Sequence, residues 1–185
     1  MSLKISVGSN EGSDAYIVGA NAAQSALTNL GASDAHLAIV FASVQYDQQK
    51  VIDGVRSVTK DALLVGCSTA GEITTEGPLN KHSVSVMLMN SDTMKFYGGV
   101  GENIKADARV AGKVAGDKVK EQAGTELKAF MMFPDVLVGN GADIVRGVLD
   151  SLGEHFPVVG GAAGDDFQFK QTYQYLNDKV YSGAV

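Results

Sequence analysis

The stretch GCSTAGEI, Gly66 to Ile73, follows a short apolar run, and a related stretch, VVGGAAGDD, spans Val158 to Asp166. In both, residues typical of a buried strand lead into small residues and then into a carboxylate. Small residues after a strand indicate either a tightly packed turn or a loop where backbone approaches a ligand. Because the pattern occurs twice, the rest of the sequence is compared with itself for a repeated unit that contains these two stretches.

The sequence resembles itself at an offset of 93 residues. Residues 7–31 and 100–124 share eight identical positions at this offset, which is more than the composition alone predicts. The same offset places Ala70-Gly71-Glu72 on Ala163-Gly164-Asp165, within the two opening stretches. We therefore expect an internal duplication, with one repeat at about 4–92 and the other at about 93–185.

Each repeat predicts the same order of elements: strand, helix, strand, helix, strand, glycine-rich turn and a closing strand. The first helix of each repeat starts near an aspartate and ends at a glycine, as helix caps favour. The second helix carries apolar residues three and four positions apart, which places them on one face. The predicted first helices are 14–30 and 107–123, and the main predicted strands are 4–9, 94–101, 36–42, 128–133, 83–89 and 173–176.

Strands that alternate with helices predict parallel β-α-β units with right-handed crossovers. Strands that follow one another directly predict antiparallel pairs. We expect an α/β fold of duplicated β-α-β-α-β-β units, with a mixed parallel and antiparallel sheet, helices on the outside and a pseudo-twofold relation. The sequence leaves open whether the repeats form one continuous sheet or two packed sheets.

The composition argues against several classes of function. A net charge of -6 disfavours a nucleic-acid partner, and the single cysteine, Cys67, cannot form a disulfide within the chain. The three histidines show no spacing typical of a metal site, so we expect no metal and no cofactor. There is no apolar run long enough for membrane insertion, which favours a cytoplasmic protein.

Ligands of open α/β folds lie beyond the carboxyl ends of the parallel strands. That rule selects residues 43–47, 67–72, 134–143 and 160–166. Glu72 and Asp165 occupy equivalent positions in the repeats, and together they could hold an ammonium group, as in an amino acid. The candidate ligand-binding residues are Cys67, Ser68, Thr69, Glu72, Asn140, Gly161, Asp165 and Asp166.

Two other interpretations of these residues stay open. The small residues are also explained by close packing of helix on sheet, with the carboxylates capping helices or facing water. Alternatively, Cys67 or Ser68 could be the nucleophile of a hydrolase or transferase. Catalysis is the weaker interpretation because no histidine is suitably placed and the spacing differs from G-x-S-x-G.

Three segments, VGCSTAGEI, VVGGAAGDDF and TYQYLNDKVYSGAV, together resemble the N-terminal FIST domain. The resemblance implies a sensory module of bacterial signal-transduction proteins and eukaryotic F-box proteins, which binds a small ligand and is not catalytic. It also implies an amino acid as the ligand, and a C-terminal FIST domain or a signalling output domain as partner. No catalytic residues follow from it.

The segment Lys179 to Val185 is apolar and strand-like, and we expect the natural chain to continue beyond it into a C-terminal FIST domain. An exposed strand edge in this segment could also pair with another chain. A homodimer, or a protein-interaction module without a small ligand, is therefore a further hypothesis beside the sensor and the enzyme.

Overall fold

The structure is a computed structural model that describes residues 2–74, 77–79, 82–124 and 126–185. The helices are α1 Ala15–Leu30, α2 Gln48–Thr59, α3 Ala108–Ala123 and α4 Gly141–Leu152. The strands are β1 Leu3–Glu11, β2 Leu37–Ser43, β3 Leu63–Thr69, β4 Ile73–Thr74, β5 Gly77–Pro78, β6 Ser83–Ser91, β7 Phe130–Met132, β8 Val158–Gly160, β9 Gln174–Leu176 and β10 Lys179–Tyr181.

The main sheet has six strands in the order β1-β6-β2-β3-β9-β10. The central pair, β2 and β3, is parallel, and every other neighbouring pair is antiparallel. Helix α1 leads from β1 to β2 and α2 leads from β2 to β3. The carboxyl ends of β2 and β3 therefore lie side by side at one edge of the sheet, where β6 begins.

Helices α1 and α2 cover one face of the main sheet. Each helix begins at an aspartate, Asp14 or Asp47, whose side chain accepts a hydrogen bond from a backbone N–H of the first turn. The core between the helices and the sheet contains Val51, Ile52 and Leu64, all fully buried. Aliphatic packing of this kind supplies most of the stability of such a layer.

The second half of the chain forms a smaller layer. Strands β7 and β8 are parallel, and helices α3 and α4 pack over them around fully buried Ile144 and Val148. This layer contacts the other face of the main sheet, because Phe133 packs edge-on against Phe41 with ring centroids 5.4 Å apart. The protein therefore buries two separate apolar cores, one under each pair of helices.

The predicted α/β class and mixed sheet are confirmed, as are four helices in the described part of the chain. The predicted strand 94–101 is wrong, since these residues form no assigned strand. The strand predicted at 173–176 to close the second half exists as β9, but it pairs with β3 of the main sheet and not with β7 or β8. Strand identity depends on a partner, and the partner is not visible in the strand's own sequence.

Within each helix pair, α1 with α2 and α3 with α4, the two helices approach each other closely at a glycine. A Cβ at Gly54 of α2 would lie 2.2 Å from the carbonyl oxygen of Tyr16 in α1. A Cβ at Gly147 of α4 would lie 1.9 Å from the carbonyl oxygen of Arg109 in α3. In both pairs, glycine allows the helix backbones to come closer than any side chain would permit.

Candidate functional site

The two glycine-rich stretches meet at the carboxyl end of β3. The backbone N–H of Gly164 donates to the carbonyl oxygen of Ser68 at 2.9 Å, and the Ser68 hydroxyl donates to the carbonyl oxygen of Gly164 at 2.8 Å. The same hydroxyl accepts a hydrogen bond from the backbone N–H of Tyr173 at 2.9 Å. Ser68 is fully buried and both its donor and its acceptor are engaged, so its hydroxyl joins the stretches to each other.

The side chain of Glu72 is buried beside this junction. It is only 6 % exposed, and its two carboxylate oxygens accept hydrogen bonds from the hydroxyls of Thr69 and Ser83. Burial raises the pKa of Glu72, and nearby Glu11 raises it further, while the two hydroxyl donors oppose the rise. Within residues 2–74, 77–79, 82–124 and 126–185, no lysine, arginine or histidine forms an ion pair with Glu72.

The groups around Glu72 respond to its charge. Burial, chiefly, and then Glu72 raise the pKa of the Tyr46 phenol to about 12, although the hydrogen bond from its hydroxyl to Gly12 opposes the rise. Burial raises the pKa of Tyr175 well above its ordinary value, and the repulsion that ionised Cys67 or Glu72 would exert adds to the effect. Further negative charge is therefore disfavoured here, whereas a positive group would be stabilised.

Cys67 lies in β3 and is 3 % exposed. Burial, together with nearby Glu72, raises the pKa of its thiol to about 12. A nucleophilic cysteine needs the opposite shift, because only the thiolate attacks. The geometry thus favours a structural thiol that lines the site.

We expect iodoacetamide to label Cys67 in the folded protein at least about tenfold more slowly than free cysteine at pH 8. In urea the rate is expected to approach that of free cysteine, which is the internal control. Fast labelling of the native protein, measured by mass spectrometry over time, would contradict the buried, protonated thiol.

The two aspartates of the second stretch have different surroundings. Asp165 is buried, and its carboxylate accepts the backbone N–H of Lys170 at 2.7 Å. Asp166 is partly exposed and accepts a hydrogen bond from the amide of Gln45 at 3.0 Å, and Gln45 in turn bonds His82 at 2.6 Å. The Glu72 carboxylate is bonded to side-chain hydroxyls and the Asp165 carboxylate to backbone, and that the two together hold an ammonium group stays a prediction.

Two other predicted residues lie in the second layer and, in the described part of the chain, form no hydrogen bond with Glu72. The Asn140 side chain caps α4 by accepting the backbone N–H groups of Ala142 and Asp143. Gly161 is exposed, and its backbone N–H donates to Met132 at 3.2 Å. Asn140 follows β7 in the chain, and Gly161 follows β8 directly.

Sequence reasoning missed Ser83 and Gln45 as members of the site. Ser83 starts β6, and β6 runs antiparallel to β2, so it begins where β2 ends. The predicted strand at 83–89 carried this signal, since an antiparallel neighbour must start at the carboxyl edge of the strand beside it. Gln45 lies in residues 43–47, which the strand-end rule includes, but nothing in the sequence distinguishes Gln45 from its neighbours as a site residue.

A cavity of about 920 Å³ lies at the opposite edge of the main sheet. Its lining includes His36, Lys60 and Asp61, which adjoin the amino ends of β2 and β3, and residues 91–97 between the two halves. None of the predicted ligand-binding residues contributes to it. Cavity volume therefore favours a ligand site at this opposite edge, whereas the buried Glu72 carboxylate favours a site at the glycine-rich stretches.

The described residues contain no group of three or more histidine, cysteine, aspartate or glutamate side chains arranged to hold a metal ion. Among the same residues, no helix has the length and apolar character needed to cross a membrane.

No match to a curated protein was found. A protein-family model, the FIST N domain, matches residues 36–185, which include both glycine-rich stretches, β9 and β10. The chain therefore belongs to the FIST N domain family, a family of sensory domains in signalling proteins.

Proposed function

We propose that this FIST N domain senses a small ligand that carries an ammonium group, such as an amino acid, and that Glu72 supplies the counter-charge. The observation that carries the proposal is the buried Glu72 carboxylate with no cationic partner among the described residues. A buried charge without a partner is costly, and a ligand cation would remove that cost. The family supports a sensory role without naming the ligand.

The surroundings of Glu72 suit a positively charged group. Thr69 and Ser83 each occupy one carboxylate oxygen, so the carboxylate is fixed in orientation before any ligand arrives. The Glu72 backbone N–H is a third donor, which leaves one of the about four acceptor positions of the carboxylate for an ammonium group. Cys67 supplies an adjacent apolar surface.

The remaining candidate residues take supporting roles in the proposal. Ser68 and Asp165 hold the two glycine-rich stretches in place, because their polar atoms are already bonded to backbone groups. Asp166, with Gln45, lies at the partly exposed rim. Asn140 and Gly161 would contribute to an equivalent position in the second layer.

A thermal-shift screen against the twenty common amino acids tests the proposal. A ligand present at about 100 times its Kd is expected to stabilise the folded state by about 2.7 kcal/mol. Glu72→Gln preserves the shape of the side chain and removes its charge, so the shift should be lost. Glu121→Gln, on the exposed surface of α3, is the matched control and should respond as the wild type does.

Two outcomes would overturn the proposal. One is a panel in which no amine shifts the melting temperature while the protein is folded by circular dichroism. The other is a shift of equal size in Glu72→Gln, which would move the ligand elsewhere, for example to the cavity that includes His36.

Without ligand, Glu72 is expected to make the protein less stable as pH rises. Its pKa in the folded protein lies above the ordinary value of 4.5, so the folded state binds more protons than the unfolded state in the interval between the two. Stability therefore falls with rising pH across that interval, by about 1.4 kcal/mol for each unit between the two values. Urea denaturation of wild type and Glu72→Gln from pH 4 to pH 8 measures this, and parallel profiles for the two proteins would contradict it.

We also propose that the two halves arose by duplication, with repeats at about 4–92 and 93–185. The duplication is supported by Gly54 and Gly147, which are 93 residues apart. Gly54 packs on the carbonyl oxygen of Tyr16 and Gly147 on that of Arg109, and these two partners are also 93 residues apart. The order strand or extended segment, helix, strand, helix, strand also recurs.

The proposed sensor is cytoplasmic and transmits its state to a partner, either a C-terminal FIST domain or a signalling output domain. FIST N domains usually accompany such domains.

A second function, protein interaction, is favoured by the solvent-facing side of β1, where Leu3, Ile5 and Val7 are each about half exposed. A homodimer formed through this side or through β10 would appear as a concentration-dependent mass in light scattering.

A further inference from the structure

Two of the three most exposed large apolar side chains in the described residues lie on the loop after the second glycine-rich stretch. Phe167 is 80 % exposed and Phe169 is 74 % exposed, and the third, Ile73, is 85 % exposed and directly follows Glu72. All other large apolar side chains that the structure describes are at most 55 % exposed. The most exposed apolar groups therefore occur at the ends of the two glycine-rich stretches.

Neither local conformation nor burial explains phenylalanine at positions 167 and 169. Asp166, Phe167 and Phe169 all have φ between 54° and 58°. Aspartate and asparagine tolerate this left-handed conformation, whereas it strains the backbone of a bulky residue such as phenylalanine. Because both rings are mostly exposed, burial within the protein does not offset the strain. The two rings are therefore expected to gain their stabilising contacts from a bound molecule.

The loop starts beside the segment that carries Glu72. It continues from Gly164, where an added Cβ would lie 2.8 Å from the backbone nitrogen of Ala70. The Asp165 carboxylate then fixes the loop, since it accepts backbone N–H groups of residues 168–171. The base of the loop is thereby held against the first glycine-rich stretch.

A second contact links the loop to Ser83, one of the two hydroxyl donors to Glu72. The Asp166 carboxylate accepts the Gln45 amide at 3.0 Å, and Gln45 bonds the His82 ring at 2.6 Å. His82 precedes Ser83, whose hydroxyl donates to Glu72. The loop is thus connected to the surroundings of Glu72 at both Ala70 and His82, and its phenylalanines lie at the rim of this site.

We propose that Phe167 and Phe169 enclose the apolar part of the ligand whose ammonium group Glu72 binds, so that the ligand is an amine with a large apolar body, such as leucine. The proposal rests on the proposed function, because it concerns the same site. The two glycine-rich stretches then have different tasks: the first binds the charge of the ligand, and the loop after the second selects its side chain.

Enclosing the ligand requires little motion of the backbone. Exposed side chains change rotamer rapidly, whereas the hydrogen bonds of Asp165 and Asp166 hold the loop itself in place. Rotation of the two rings toward Glu72 would transfer their exposed surface from water to the ligand. Removal of water from the site would also strengthen the attraction between the carboxylate and the ammonium group.

The chemistry of the rim favours an apolar ligand body over a polar or acidic one. Two phenyl rings offer no hydrogen-bond partner, so a polar side chain would lose its water without compensation. An aliphatic or aromatic side chain gains free energy from the same contact. An acidic side chain would in addition be repelled by Glu72 and by Asp166.

Titration calorimetry with leucine and asparagine tests the inference, because these free amino acids have side chains of similar branched shape and opposite polarity. The wild type is expected to bind leucine at least about tenfold more tightly than asparagine. In the double variant Phe167→Asn with Phe169→Asn this preference should be lost, with asparagine affinity within about twofold of that of the wild type. Glu72→Gln should bind neither amino acid.

Two measurements control for effects on folding. Asparagine tolerates positive φ, so the double variant is expected to be at least as stable as the wild type in urea without ligand. Val110→Asn on α3 removes a large apolar side chain that is 55 % exposed, and it should leave both affinities unchanged.

A tryptophan on the loop reports the contact directly. The chain contains no tryptophan, so Phe169→Trp provides a single indole whose emission shifts to shorter wavelength when it leaves water. Saturating leucine is expected to produce this shift, and asparagine a smaller one. Without ligand, the emission should be independent of protein concentration.

Equal affinity for leucine and asparagine, or a double variant that retains the preference, would overturn the inference and leave the role of Glu72 intact. An emission unchanged by saturating leucine would overturn it as well. Without any binding of amines to the wild type, the role of Glu72 and this inference would both fail. A shift that grows with protein concentration in the absence of ligand would instead assign the rings to contact between two copies of the chain.

Discussion

Gly66→Ala is expected to destabilise the protein by about 4 kcal/mol, which is a large fraction of the unfolding free energy of a typical domain. Gly66 lies in β3 near the centre of the main sheet, with φ at +151°, a conformation that side chains rarely adopt. An added Cβ would lie 1.9 Å from the carbonyl oxygen of Val40 in β2. Because that oxygen is backbone in a buried strand, it cannot move aside cheaply.

Urea denaturation followed by circular dichroism measures this effect. Gly160→Ala, at φ +150° and 1.9 Å from the Met132 carbonyl oxygen, should be destabilised for the same reason. Gly161→Ala is the matched control, because a Cβ there meets nothing within 4 Å, and its stability should lie within about 0.5 kcal/mol of the wild type. Equal stability of Gly66→Ala and Gly161→Ala would show that packing does not require the glycine.

Asp165→Ala is expected to cost about 3 kcal/mol and to release the loop 166–171. The Asp165 carboxylate organises this loop, in which Asp166, Phe167 and Phe169 all have positive φ between 54° and 58°. Burial acts to raise the pKa of Asp165, but hydrogen bonds from the backbone N–H groups of residues 168–171 outweigh it and hold the pKa below its ordinary value.

The pH dependence distinguishes this role from that of Glu72. Since the folded protein lowers the pKa of Asp165, its contribution is present above the ordinary aspartate pKa of 3.8 and is lost as pH falls through the lower folded value. Asp165→Asn should therefore differ most from wild type near neutral pH and least in acid. Hydrogen exchange at residues 168–171 gives the local measure, and unchanged protection of these amides in Asp165→Ala would contradict the role.

The helices and the end of β3 at which the two glycine-rich stretches meet were predictable from local signals. Aspartates at the starts of α1 and α3 and apolar spacing in α2 and α4 act within one turn of helix, so the sequence carries them directly. The carboxyl-edge rule correctly brought Cys67–Glu72 next to Gly164, because it depends only on strand direction.

The failures involve partners that are distant in sequence. Segment 94–101 has a strand-like sequence, but a strand requires a hydrogen-bonded neighbour, and among the described residues only Gly101 of this segment exchanges backbone hydrogen bonds, with Val185. Likewise, β9 follows the second glycine-rich stretch and yet pairs with β3. The bonds of Asp165 to backbone N–H groups were also hidden, since they depend on the positive φ values of the loop.

The pairing of β9 and β10 with β3 has a consequence for the order of folding. Residues 174–181 complete a sheet whose other strands all lie before residue 92. During synthesis, the first four main-sheet strands would emerge and pair while the edge of β3 stayed open, until the whole second layer had been translated. Contacts of such long sequence separation slow folding, and the open edge is exposed to other nascent chains in the meantime. The folding yield of this domain would thus depend on chaperones and on the rate of translation more than its size suggests.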